Sequence, residues 1–433
     1  MTTLYKNGLF IFHRDLRVSD NTGLIMAARK CVRVFPIFVF TPEQIGRRNK
    51  YRSANSVQFM LDCLRELVAR IKLQLFYGAT LAVVKDCLAA FSIDYVCFNA
   101  DYTPYAVARD AAIAAACKTA GVVCEYAHDY YLVPPGTITS AAGEAYRKFT
   151  PYYNAAIHHP VPRVSTYEIG NIATRAPVLE QRITLSAAVL KFATVRNVLV
   201  PRGGRTLAVE KLLAAVKSQR RYSETRDHLA TPTSGLSAYI KFGCISIREV
   251  YWRLRTNGEF VRQLIWRDFY AQMFYGHPSS LHPRNTTKWG NNATWLAAWK
   301  LGRTGFPAVD AGMRELCATG MMHNRARLIV ASLLIKILHI DWRIGEQYFA
   351  QMLVDYDVSS NNGNWQWAYK QPAFRTFNPW AQGREHDPEC VYIKKWIPEL
   401  RGMSPRQIHN WRAPQAGCTY PGPICDYDVQ KNK

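Results

Sequence analysis

The chain has 433 residues, 48% hydrophobic and 20% charged, which suits a folded protein too long for one compact core and excludes a disordered or collagen-like chain. No stretch approaches about 20 consecutive apolar residues, so no membrane span is expected. Fifty-five Lys and Arg against 32 Asp and Glu leave a formal charge of +23, an excess that attracts a polyanion through phosphate contacts and counterion release.

Strand-like apolar runs at 9–12, 32–40, 73–77, 95–98 and 122–126 alternate with helical patterns at 22–29, 53–71, 81–91 and 105–119. Alternation of this kind implies right-handed crossovers and a parallel sheet covered on both faces. We therefore expect a five-stranded, doubly wound α/β domain over residues 1–130. Its first strand is followed by Phe12-His13-Arg14-Asp15-Leu16-Arg17 rather than Gly-x-Gly-x-x-Gly, which argues against an ordinary dinucleotide site there. The His-Arg-Asp triplet lacks the downstream residues of a kinase catalytic loop.

Periodicity weakens over 131–200, where prolines are frequent, and this reads as an interdomain linker. Helical patterns then dominate at 205–221, 235–255, 259–276, 293–301, 307–319, 322–339 and 343–354, so residues 201–433 should form an all-α domain. The eleven cysteines include no Cys-x-x-Cys pair and the eleven histidines no ligand spacing. A reduced, intracellular chain (cytoplasm or nucleus) without disulfide framework or metal follows as the expectation. The opening residues lack the apolar core of a secretory leader, and we expect a soluble monomer.

Three segments carry chemistry. The first runs from Asp355-Tyr356-Asp357 into Asn361-Asn362-Gly363-Asn364-Trp365-Gln366-Trp367. Carboxylates, amides and a glycine favour breaks and caps, and a surface loop seldom spends two tryptophans. The second, His323-Asn324-Arg325-Ala326-Arg327, opens an apolar helix with two arginines on different faces. One can bind phosphate while the other pairs with an inner carboxylate. The third, Gln263-Leu264-Ile265-Trp266-Arg267-Asp268-Phe269-Tyr270, sets an aromatic and a cation at helix spacing from a tyrosine.

Together with Arg14-Asp15-Leu16-Arg17, Thr233-Ser234-Gly235-Leu236-Ser237 and Gly305-Phe306-Pro307-Ala308-Val309-Asp310-Ala311, these segments resemble, in shared order along almost the whole chain, the photolyase/cryptochrome flavoprotein family. Within it the chain is most similar to class I cyclobutane pyrimidine dimer photolyases. The resemblance implies FAD in the helical domain. Tyr222, Thr233, Ser234, Gly235, Leu236 and Ser237 would hold its phosphate and ribityl portion, where hydroxyls and backbone N–H groups suit an anion. Arg267, Asn324, Arg327, Asp355 and Asp357 would surround the ring, with Asn361 facing flavin N5. Trp365, Trp342 and Trp289 would pass electrons from the surface to the photoexcited flavin.

The resemblance further implies that UV-damaged DNA is the partner. Trp266 and Trp367 would wall a pocket for a dimer flipped from the duplex, with Asn324 and Leu328 beside it, Arg325 on phosphate and Arg226 as a helper. The chain departs from the pattern at Gln263, where dimer photolyases of this class carry glutamate; its charge and proton inventory differ. Glutamine there is usual in (6-4) photolyases and animal cryptochromes, but (6-4) enzymes have histidines where this chain has Asn324 and Leu328. Light-driven dimer splitting, a lyase reaction, is thus the expected activity, with a cryptochrome-type photoreceptor or a (6-4) photolyase as alternatives. The segment Asp101-Tyr102-Thr103-Pro104-Tyr105-Ala106 lacks the acidic and amide pair expected for a folate antenna. Any second chromophore, of deazaflavin, flavin or folate type, would lie in the first domain.

Overall fold

The computed structural model describes residues 4–193, 195–284, 286–372 and 376–432. The first part of the chain is β1 (Tyr5–Phe12), α1 (Thr22–Lys30), β2 (Cys31–Phe40), the single turn α2 (Pro42–Ile45), α3 (Ala54–Arg70), β3 (Gln74–Tyr77), α4 (Thr80–Ala90), β4 (Tyr95–Asn99), α5 (Pro104–Thr119) and β5 (Val123–Ala127). The strands pair in parallel in the order β3-β2-β1-β4-β5. Both faces are covered, which is why the strands read as continuous apolar runs: Leu9, Phe10, Ile11 and Phe12 are all buried. The strand order reverses between β1 and β4. The loops leaving these two strands therefore diverge and open a crevice at their carboxyl ends. Arg14 enters it from the loop after β1 and Asp101 from the loop after β4, and they pair at 2.8 Å.

Residues 131–200 contain more structure than their weak periodicity suggests. Two short helices form, α6 (Phe149–Ala156) and α7 (Leu185–Phe192). The first buries Phe149, Tyr152 and Ala156, an apolar stripe too short to register as a period in the sequence. Isolated bridges from Ile172 to Val34 and from Arg182 to Phe76 lay the intervening chain along the sheet.

The rest is helical: α8 (Arg205–Ser218), α9 (Tyr222–Thr225), α10 (Ser237–Lys241), α11 (Ile247–Leu254), α12 (Gly258–Gly276), α13 (Ala293–Leu301), α14 (Pro307–Thr319), α15 (Asn324–Ser332), α16 (Trp342–Met352), α17 (Val358–Lys370), α18 (Pro379–His386), α19 (Val391–Trp396), α20 (Pro405–His409) and α21 (Tyr427–Lys431). A π-helical turn, Leu333–Ile337, continues α15. The single helix expected over 235–255 is two. Gly243 divides them at φ +64°, and a side chain there would lie 2.4 Å from the Arg14 carbonyl oxygen. The chain turns at the point where it meets the first domain. Among the described residues no helix is long and apolar enough to cross a membrane.

Buried charges join the two domains. Arg17 donates to Asp129 at 2.6 Å, and Arg248 of α11 donates to Asp129 at 2.8 Å and to Asp20 at 3.0 Å. Burial works to raise the Asp129 carboxyl, but Arg17 and Arg248 overcome it and hold the group below the usual carboxylate range.

Candidate functional site

Helices α15, α16 and α17 and the loop between the last two line an open cavity. Asn324, Arg327, Leu328 and Ala331 come from α15; Asn361, Asn364, Trp365 and Ala368 come from α17. Each set follows the i, i+3, i+4, i+7 spacing that puts side chains on one helix face. Asp355 and Asp357 enter from the loop. The cavity thus brings together seven sequence-predicted residues: Asn324, Arg327, Leu328, Asp355, Asp357, Asn361 and Trp365.

The Asn-Asn-Gly run, which looked like a helix breaker, lies inside α17. Gly363 is needed because a Cβ there would sit 2.2 Å from the Tyr270 ring on α12. The flanking amides bond outward: Asn362 donates to the Leu281 carbonyl at 3.2 Å and Gln366 to the Ser280 carbonyl at 2.6 Å. Tertiary hydrogen bonds and close packing override weak helix propensity here.

Asp357 caps α17 by accepting from the Ser360 N–H at 2.9 Å, and it accepts from Arg14 at 3.0 Å. Burial opposes its ionisation, yet Arg14, Arg267 and the Ser360 hydrogen bonds keep its carboxyl below the usual range. Arg14 is itself held by Asp101 and by the Tyr131 hydroxyl at 3.0 Å, with its guanidinium over the Tyr130 ring. One wall of the site therefore depends on the α/β domain. Arg327 donates to both oxygens of Asp355, at 2.9 and 3.2 Å. Arg325 turns the other way and pairs with Asp227 at 2.8 Å, so the two arginines do occupy different faces.

Asn361 donates through its amide to the Glu346 carboxylate at 2.9 Å and to the Glu346 carbonyl at 3.1 Å. Glu346 is 3% exposed, and burial pushes its carboxyl up to about 7 against the hydrogen bonds from Asn361 and Tyr51. Lys241, at the end of α10, donates to the Ser56 hydroxyl at 3.1 Å. Burial, aided by the Arg14 cation, pulls its ammonium down to about 7 although Asp357 and Asp355 oppose this.

The remaining predicted residues lie outside this cavity. Arg267 donates to the Tyr130 carbonyl at 2.5 Å, with its guanidinium over the Tyr131 ring. Thr233, Ser234, Gly235, Leu236 and Ser237 form the loop leading into α10, with Gly235 at φ +62°. Tyr222 packs edge-on against Phe260. Trp266 stacks face to face on Phe149, 3.6 Å between centroids and 4° between planes, so the linker helix α6 backs one face of its indole. Gln263 donates to Glu259 at 3.2 Å, and Glu259 also takes Arg226 as a partner. Trp367 is partly exposed, with Phe377 beside it. Trp365 packs against Phe349 and Trp299, while Trp342 and Trp289 each contact Tyr369.

Three site residues escaped the sequence reading: Arg14, Lys241 and Glu346. Arg14 had a signal, since it opens the Arg14-Asp15-Leu16-Arg17 segment. A lysine or glutamate within a helical pattern carries none, because its importance comes from burial.

A flavin nucleotide fits these groups. A partly buried ammonium bonded to a neutral hydroxyl suits a phosphate. Leu328, Ala331, Phe349 and Trp365 offer apolar walls for a flat ring, with Asn361 and the Arg327–Asp355 pair at its polar edge.

Known proteins share this architecture. Residues 260–433 match the family described as the FAD binding domain of DNA photolyase, and residues 9–166 the family described as DNA photolyase. The deoxyribodipyrimidine photo-lyase of Halobacterium salinarum is 35% identical over 98% of this chain and 97% of its own length; that of Escherichia coli is 34% identical over 96% and 95%. A crystal structure of an archaeal photolyase from Sulfolobus tokodaii with two FAD molecules superposes with a TM-score of 0.88, at 37% identity, covering 98% of each chain. A cryptochrome from Synechocystis, at 22% identity and a TM-score of 0.89 over 100% of this chain and 99% of its own, shares the fold.

Proposed function

The chain belongs to the DNA photolyase family, with a C-terminal FAD-binding domain, and from that premise we propose that it splits cyclobutane pyrimidine dimers in DNA under light. The observation that carries the reading is the cavity at which Asn324, Arg327, Asp355, Asp357, Asn361 and Trp365 meet. FAD, when bound, supplies the absorbed light and the single electron that opens the cyclobutane ring and is then recovered, so no net oxidation occurs.

The protein's own groups position and tune. The Arg327–Asp355 pair and Asn361 orient the ring edge by charge-assisted and neutral hydrogen bonds, and Lys241 with the Thr233–Ser237 segment takes the phosphates. Trp266 and Trp367 form the apolar walls of the lesion pocket, with Asn324 and Leu328 at its floor. Phe149, stacked behind Trp266, holds that indole rigid for a flipped dimer, the step at which unstacking costs least. Gln263 presents its amide to the lesion. Arg325 and Arg226 exchange Asp227 and Glu259 for DNA phosphates, aided by the net positive charge.

The test is illumination of reduced, FAD-loaded protein with DNA carrying either a cyclobutane dimer or a (6-4) photoproduct. Recovery of thymine absorbance from the first substrate alone is expected. Recovery from the second alone would reassign the substrate, an outcome that Gln263 makes worth measuring. No recovery from either, with flavin bound and reduced, would leave a receptor role as the reading. An antenna flavin in the α/β domain is the corresponding reading for the second chromophore, since the Sulfolobus tokodaii relative holds two FAD molecules. One or two flavins released per denatured chain decides it.

A further inference from the structure

Trp342, Tyr369 and Trp289 form a run of ring contacts. Trp342 and Tyr369 stack with centroids 6.4 Å apart and planes inclined by 21°. Tyr369 and Trp289 lie 5.6 Å apart at 50°. Trp342 is buried, whereas Tyr369 and Trp289 are partly exposed, so the run leads outward from the core. Tyr369 touches both outer members of the tryptophan set without having been counted in it.

Its surroundings are specific. The Tyr369 hydroxyl lies 2.6 Å from Thr287 Oγ1, on the loop that carries Trp289. Lys336 Nζ donates to the carbonyls of Tyr369 and Gln371 at 2.8 and 2.7 Å, which anchors the end of α17. The same ammonium is 6.0 Å from the Tyr369 ring centre. A cation that close disfavours a positively charged radical on the ring but is indifferent to a neutral one. Oxidation of a phenol coupled to loss of its proton yields the neutral species, and Thr287 offers the first hydrogen-bonded stop for that proton.

We propose that Tyr369 is a redox-active member of the electron path, an inference that rests on the assignment of Trp342 and Trp289 to that path. An oxidised Trp342 takes one electron from Tyr369. The phenolic proton passes to Thr287 Oγ1, whose own proton leaves to water. Trp342 is restored, Tyr369 is left as a neutral radical, and one electron moved inward is matched by one proton released.

The experiment is electron paramagnetic resonance on FAD-loaded protein frozen during illumination, with and without ring-deuterated tyrosine, alongside transient absorption. A tyrosyl signal that narrows on deuteration and vanishes in Tyr369→Phe is expected. That variant keeps the ring and its packing, so its FAD content and unfolding midpoint should match the wild type. Formation of the signal should slow in heavy water. A tryptophan radical without a tyrosyl signal, a tyrosyl signal that survives in Tyr369→Phe, or no solvent isotope effect each overturns the proposal while leaving the tryptophan path intact. Absence of any aromatic radical overturns the path itself.

Discussion

Glu346 offers the sharpest prediction, because its replacement by glutamine keeps the side chain's size and removes its titration. The buried carboxyl titrates near 7 in the folded chain and near 4.5 when unfolded. Between those values the folded chain holds a proton that the unfolded chain has released. Stability therefore falls as pH rises through the window, and the loss is complete above 7. The difference in pKa corresponds to about 3 kcal/mol, at 1.36 kcal/mol per unit. Glu346→Gln removes that dependence but buries an amide N–H₂ with no assured acceptor, at a cost of about 1–3 kcal/mol. The variant should be the less stable protein below 4.5 and should gain on the wild type by about 3 kcal/mol above 7. Urea denaturation of both proteins across that range measures the crossing. Parallel stability–pH curves would refute the reasoning, since they would mean that Glu346 titrates alike folded and unfolded.

Other substitutions probe the rest of the site. Asp357→Ala leaves Arg14 with a lost partner and α17 without its cap, and should destabilise by about 3–5 kcal/mol in urea titrations; the value falls toward the lower end because Asp101 still pairs with Arg14. Lys241→Met should weaken FAD retention by about 1.5–3 kcal/mol, the worth of a hydrogen bond to a charged group; an unchanged flavin-to-protein absorbance ratio on dilution would show that no phosphate meets it. Trp266→Ala should lower the preference for dimer-containing over intact DNA by about 1–3 kcal/mol, and equal preference in both proteins would remove Trp266 from the lesion pocket.

The fold was legible where its periods were strong. The strands of the α/β domain are apolar on both faces and announce themselves, and the long helix α12 follows its pattern from end to end. Legibility failed where tertiary contacts replace local preference. Gly243 splits a helix because the Arg14 backbone leaves no room for a side chain, a fact written in another part of the chain. The interior of α17 reads as a loop until Tyr270, Leu281 and Ser280 are set against it. Nothing local distinguishes α6 from the linker around it, since Phe149 acquires meaning only beneath Trp266. Around the cavity, composition pointed only to the run from Asp355 and Asp357 to Asn361, whose residue types favour helix breaks and caps, while the family resemblance supplied Asn324 and Arg327. Glu346 and Lys241 look like ordinary surface charges until they are folded inward.

The contact between Arg14 and Asp357 limits how far the two halves can be treated as interchangeable parts. The matched families stop at residue 166 and resume at 260, as if the flavin unit were self-contained. Yet the cation that neutralises Asp357 sits on the turn after the first strand, steadied by Asp101 from the fourth. Grafting this helical half onto a foreign α/β partner, or expressing it by itself, would strand a buried carboxylate at the cavity wall. Evolution of either half is tethered to the other through this guanidinium as well as through the Arg248 pairs with Asp20 and Asp129.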